Sequence, residues 1–281
     1  MNVSNCLGKA AMIVSQVALC LDDSNPCDSN AKCGGSIIGK KWILTSAHCA
    51  DQLAEATSTV IAGVEDLTAT DPSAQQILIK TIISHPTHNA DVSPDRDDIA
   101  VLELDEELTF GTYVQPVCLP AIDNCNTEID TLAYAIGWGE TSFRECAGTL
   151  EILLNHCLLE MFHNEIIRAG GSPSTSTLNE VSMNAVDGLR CAAHPGINAY
   201  DTGAFLCYQT FGKDICGMDT GGPLMRPTSN NVWYQYGISV VVPGTCNAIF
   251  PVPFTRVSPH CDSFIRPSTN NEVACDDNNA P

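Results

Sequence analysis

Short apolar, β-branched runs separated by turn-rich stretches set the strongest limit on how this chain can fold. They occupy Ile37–Leu44, Val60–Gly63, Ile77–Ile83, Ile99–Leu104, Leu132–Ile136 and Val232–Val242. Runs so short and so regularly interrupted cannot supply the faces of long helices, and they predict an all-β barrel or sandwich. A further run, AAMIVSQVALCL at 10–21, is broken by Gln16 and reads as a buried strand, not as a signal-peptide core. One stretch departs from the strand pattern: Leu158, Leu159, Phe162, Ile166 and Ile167 fall at helical spacing and stop at Gly170, which predicts one helix in the second half. The small polar residues after it make 170–200 an excursion from the sheet structure, and the acidic tail at 268–281 has little to bury and is expected to be mobile. With 281 residues and 44% apolar content, 1–267 is read as a single domain whose halves meet near 120–130.

Fifteen cysteines scattered from Cys6 to Cys275 exceed what a reducing compartment favours, so the chain is expected to be disulfide-bonded and extracellular. Their odd number leaves at least one sulfur for a free thiol or an intermolecular bridge. The net charge of −20, from 33 acidic and 13 basic residues, makes nucleic acid and anionic membranes poor partners. No apolar run reaches the ~18 residues that a spanning helix needs. Asn2-Val3-Ser4 is a single glycosylation sequon.

Three distant stretches each hold one part of a nucleophilic triad. His48 closes WILTSAHC, Asp98 lies just before an apolar strand in DRDDIAVLEL, and Thr220 follows Asp219 in DICGMDTGGPLM. Taken singly, His48 would be a packed core histidine and Asp98 a turn acid. Together they follow the order His, Asp, hydroxyl of one known triad arrangement.

The chain resembles the trypsin and chymotrypsin family. Besides the three stretches above, the likeness rests on CGGSIIGKKWILTSAHC at 33–49, ISHPTH at 83–88, PVCLP at 116–120, AIGWGET at 135–141 and PFTRV at 253–257. It implies two packed six-stranded antiparallel β-barrels, at about 10–120 and 130–256, with a cleft between them and a short C-terminal helix near 257–266. It also implies disulfides Cys33–Cys49, Cys191–Cys207 and Cys216–Cys246. Cys20 with Cys27 is a local possibility, and Cys118 is left with Cys6 or Cys261. A further bridge common in the family is absent, with Ala133 or a neighbour at one end and Arg226 at the other.

By the same resemblance, His48, Asp98 and Thr220 are the catalytic positions, Met218 and Thr220 supply the oxyanion amides, and Asp219 is the acid of the zymogen switch. Asp214 sits at the base of the specificity pocket, with Val241 or Val242 and Val252 on its walls. Each set departs from the family pattern. Threonine replaces the serine nucleophile, and its extra methyl group stiffens the side chain. Methionine at 218 replaces a glycine in a turn that favours glycine. Valines narrow the pocket above Asp214. MNVSN stands near the expected activation site in place of Ile-Val-Gly-Gly, so the pairing of Asp219 with a new amino terminus is not expected. The reading is therefore a protease homologue with lost or strongly impaired endopeptidase activity that binds a protein or peptide in its cleft. The alternative is an active endopeptidase using Thr220 with His48 and Asp98 and preferring small residues. No cofactor or metal is called for: His156, Cys157 and His163 lack a ligand spacing, and Glu65, Asp66 and Asp71 read as exposed acids.

Overall fold

A computed structural model of the chain describes residues 14–23, 27, 31–69, 71–92, 94–123, 131–139, 176–193, 201–210, 215–230, 232–240 and 250–276. The helix expected around 158–167 falls outside these residues. Twelve strands form two closed barrels. The first contains β1 (Gln16–Cys20), β2 (Ala31–Ile37), β3 (Trp42–Thr45), β4 (Thr59–Ala62), β5 (Gln75–Ser84) and β6 (Ala100–Leu104), in the spatial order β1-β2-β3-β6-β5-β4. The second contains β7 (Leu132–Gly137), β8 (Asn179–Ala185), β9 (Phe205–Gln209), β10 (Pro223–Pro227), β11 (Trp233–Ser239) and β12 (Val252–Arg256), in the order β10-β11-β12-β9-β8-β7. Neighbouring strands pair antiparallel, and closure leaves neither barrel with a free sheet edge among the described residues.

Each barrel has its own apolar filling. Val17, Leu19, Ile37, Ile43, Val60, Ile79 and Leu102 are fully buried in the first, and Tyr208, Tyr236, Leu224 and Phe254 fill the second. A third cluster spans the space between barrels, joining Leu44 and Val101 to Ile136, Met225 and Ile238. Polar links cross the same boundary, including a hydrogen bond of 2.5 Å from Ser36 Oγ of β2 to Gln235 Oε1 of β11.

The 170–200 stretch contains β8, which pairs with β7 along Leu132↔Asn184 to Gly137↔Asn179. Its composition hid it because only Met183 and Ala185 of the seven residues point into the core. A short helix, α2 (Gly188–Ala192), follows, capped by Asp187. Residues 268–276 also differ from the expected mobile tail. Val273 enters the inter-barrel cluster, Cys275 bonds Cys261, and Trp42 Nε1 donates to Glu272 Oε2 at 2.9 Å. One apolar side chain, one disulfide and a few hydrogen bonds dock a stretch whose composition is otherwise polar. The C-terminal helical segment begins at Ser258 as a 3₁₀ turn and runs through Ser268.

Cys33–Cys49, Cys191–Cys207 and Cys20–Cys27 are bonded. Cys118 and Cys216 are also disulfide-bonded, to cysteines outside the described residues, where Cys6 and Cys246 lie. The Cys261–Cys275 bridge removes Cys261 as a partner for Cys118. At the position of the absent family bridge, Ala133 is fully buried, and the Arg226 guanidinium lies 5.2 Å from the Tyr236 ring centre.

Candidate active site

The first barrel contributes His48 and Asp98. Strand β3 ends at Thr45, and Ser46 then caps the single-turn helix α1 (Ala47–Ala50) by accepting from Cys49 N–H at 3.2 Å. The Cys33–Cys49 bridge ties this turn to β2. Asp98, at the entry to β6, accepts the backbone N–H of His48 at 2.8 Å. The carboxylate is buried, whereas His48 is exposed. Among the described residues, no hydrogen bond joins the His48 ring to Asp98 or to Thr220. Burial pushes the Asp98 carboxyl up to about 6, against the opposing pull of the His48 N–H and of the His88 and His48 charges.

The second barrel contributes the loop that carries Thr220. Residues Gly217–Asp219 form a 3₁₀ turn, and the Thr220 N–H donates back to Gly217 O at 3.3 Å. The Asp219 carboxylate accepts Gly139 N–H at 2.8 Å and Cys216 N–H at 3.0 Å. A Cβ at Gly137 or Gly139 would run into that carboxylate, which is a physical reason for the glycines of the AIGWGET stretch. Gly221 has a φ of +80°, a conformation natural to glycine, and donates to Ser239 O at 2.8 Å. From the other side, Gly34 N–H of β2 donates to Thr220 O at 2.8 Å. Thr220 is thus held by both barrels and is only 4% exposed. Met218 is half-buried and packs toward the cluster containing Trp138.

Of the expected pocket residues, Asp214, Val241 and Val242 lie outside the described residues. Val252 is buried in the second barrel's core together with Ile215, the neighbour of Asp214. Val240 is buried against the Cys191–Cys207 bridge. Ser239 Oγ and both side-chain polar atoms of Gln16 are buried and have no hydrogen-bond partner among the described residues.

In the sequence, His88 stands out only as the last residue of the ISHPTH family match. Its Nδ1 lies 2.6 Å from Asp95 Oδ2 and its Nε2 lies 3.3 Å from Asp51 Oδ2. Burial disfavours its charge, but the carboxylates of Asp95, Asp98 and Asp51 outweigh this and hold the imidazole above its ordinary range. The His-x-x-His spacing within 85–88, followed by acids at 95, 97 and 98, was the available signal.

Twin closed barrels with a histidine, an acid and a hydroxyl converging from both are the architecture of trypsin-type proteases. The Trypsin family model matches residues 15–157 and 155–263, and the chain belongs to that family. It is 32% identical over 245 residues to the venom serine protease Bi-VSP of Bombus ignitus, covering 84% of this chain and 59% of that protein. It is also 28% identical over 243 residues to a venom protease of Bombus pensylvanicus, covering 84% of this chain and 86% of the relative. The chain therefore spans less than two thirds of the first relative's length.

Proposed function

We propose that this protein is an extracellular trypsin-family member whose peptidase activity is lost or severely impaired and whose cleft binds a protein or peptide without cutting it. The carrying observation is the uncoupled site: the His48 ring is exposed, with no hydrogen bond to Asp98 or to the Thr220 hydroxyl. General-base activation of a hydroxyl needs the base within hydrogen-bond reach of it and a third group that orients the base. Here the acid holds the histidine backbone alone. The Thr220 N–H, one of the two amides that would stabilise an oxyanion, is turned to Gly217 O. Threonine adds a methyl group at a position that is already buried. Disulfide content and the names of the venom proteases that the chain resembles support an extracellular setting.

The test is to incubate the oxidatively folded protein with a mixed peptide pool and an active-site fluorophosphonate. No labelling at Thr220 and no new peptide termini are expected. Labelling with turnover would overturn the reading. Thr220→Ser alone is expected to stay silent as well, because restoring the smaller hydroxyl does not bring the His48 ring to it.

A further inference from the structure

We infer that His85, Asp97 and His260 form a zinc site that clamps the loop before Asp98 to the C-terminal helical segment. One ligand atom from each residue lies within 4.8 Å of the others. They come from three places in the chain: the end of β5, the turn before β6 and the 3₁₀ turn after β12. All three are shielded, with side-chain exposures of 15%, 19% and 7%.

Hydrogen bonds around the cluster orient His260 and Asp97, whereas His85 Nδ1, 2.9 Å from Thr87 Oγ1 and 3.4 Å from Thr87 N, must exchange these contacts for the metal. His260 Nδ1 lies 2.9 Å from the Arg256 carbonyl, which can only accept, so this nitrogen carries the proton. His260 Nε2 then faces Asp97 Oδ1 across 3.1 Å. Two electron-rich atoms at that separation repel unless a second proton or a cation lies between them. A histidine whose other ring nitrogen is anchored on a backbone carbonyl is the usual arrangement of a metal ligand. Asp97 is oriented in the same way, since its Oδ2 accepts the Thr87 hydroxyl at 2.5 Å. His85 Nδ1 is 4.0 Å from Asp97 Oδ2. Tetrahedral zinc with bonds of roughly 2.1 Å needs ligand atoms about 3.4 Å apart, so the His260–Asp97 edge is in place, and the edges to His85, none longer than 4.8 Å, must close by at most about 1.4 Å. Two imidazoles and one carboxylate suit zinc and leave a fourth position for water or the adjacent Thr87 hydroxyl. The net charge of −20 favours cation entry.

His88 with Asp95 and Asp51 is the nearest rival group, but it offers only one nitrogenous ligand, and both of its ring nitrogens already face carboxylates. The proposed site is separate from the question of peptidase activity, and its test does not read activity.

The full-length folded protein, stripped with chelator, would be titrated with zinc chloride by calorimetry and with cobalt(II) by visible absorption. One equivalent should bind, cobalt should show the intense d–d bands of tetrahedral coordination, and saturating zinc should raise Tm by about 5 °C. His85→Gln and His260→Gln should each weaken zinc binding at least 100-fold, and Thr87→Val should weaken it on the order of 10-fold. His88→Gln should leave it unchanged. Circular dichroism of each metal-free variant checks that it folds; if His260→Gln does not, His85→Gln and Thr87→Val decide. Absence of stoichiometric binding, or binding that survives His85→Gln or depends on His88, would overturn the inference.

Discussion

At the scale of single residues, two positions have effects on stability that can be measured. Asp98 ionises at about 6 in the folded chain against 3.8 when free, and burial is the leading cause. Between those values the folded state keeps a proton that the unfolded chain has released. The group therefore favours folding at low pH, and that contribution is lost as pH rises through about 6. At pH 7.5 the buried charge costs about 3 kcal/mol. Asp98→Asn keeps an acceptor for the His48 N–H without the charge, so in chelator-treated protein it should raise Tm at pH 7.5, with the gain vanishing by pH 4. Thermal melts across that range check the sign. Gly139 shows the opposite sensitivity, because any Cβ there displaces the Asp219 carboxylate. Gly139→Ala is expected to cost about 2 kcal/mol in urea denaturation. The triad-type residues were legible at this scale because each sits in a distinctive local string. The state of the His48 ring was not, since side-chain direction depends on neighbours far away in sequence.

At the scale of elements, periodicity located strands whose residues are mostly buried, such as β4 (Thr59–Ala62) and β6 (Ala100–Leu104). It passed over β8, whose burial is confined to its C-terminal end. It also undervalued the C-terminal segment. That stretch is docked by Val273, the Cys261–Cys275 bridge and a bond of 2.8 Å from the Tyr234 hydroxyl to Asp276 Oδ2. Burial and this acid both push the Tyr234 hydroxyl upward, so it remains a donor at any ordinary pH. Val273→Asp should place an unpaired charge in the inter-barrel cluster and cost about 3 kcal/mol. Faster proteolysis within 268–276 should accompany the loss. If Val273→Asp leaves both Tm and cleavage unchanged, the segment is not part of the folded core.

At the scale of the whole molecule, the two barrels are joined by interactions that no local pattern announces. Arg256 of β12 holds Asp123, at the exit from the first barrel, through Nε to Oδ1 at 2.9 Å and Oδ2 at 3.0 Å and through Nη2 to the Asp123 carbonyl at 3.0 Å. Ser258 Oγ also donates to this carboxylate. Arg256→Ala leaves a buried carboxylate without its cation and should cost about 4 kcal/mol, whereas Arg256→Met with Asp123→Leu should recover most of that loss. Equilibrium denaturation of the three proteins separates a net contribution of the pair from the penalty of breaking it. The amino-acid sequence by itself determined the strand-rich class, the disulfide-bonded character and the family, because these rest on local alternation, composition and short ordered strings. Tertiary structure alone decided that His48 hydrogen-bonds Asp98 through its backbone N–H, that the Thr220 amide donates to Gly217 O, and that His85, Asp97 and His260 meet. Their separations along the chain leave no imprint on local pattern, and only barrel closure and the docked C-terminal segment bring them within ångströms of one another.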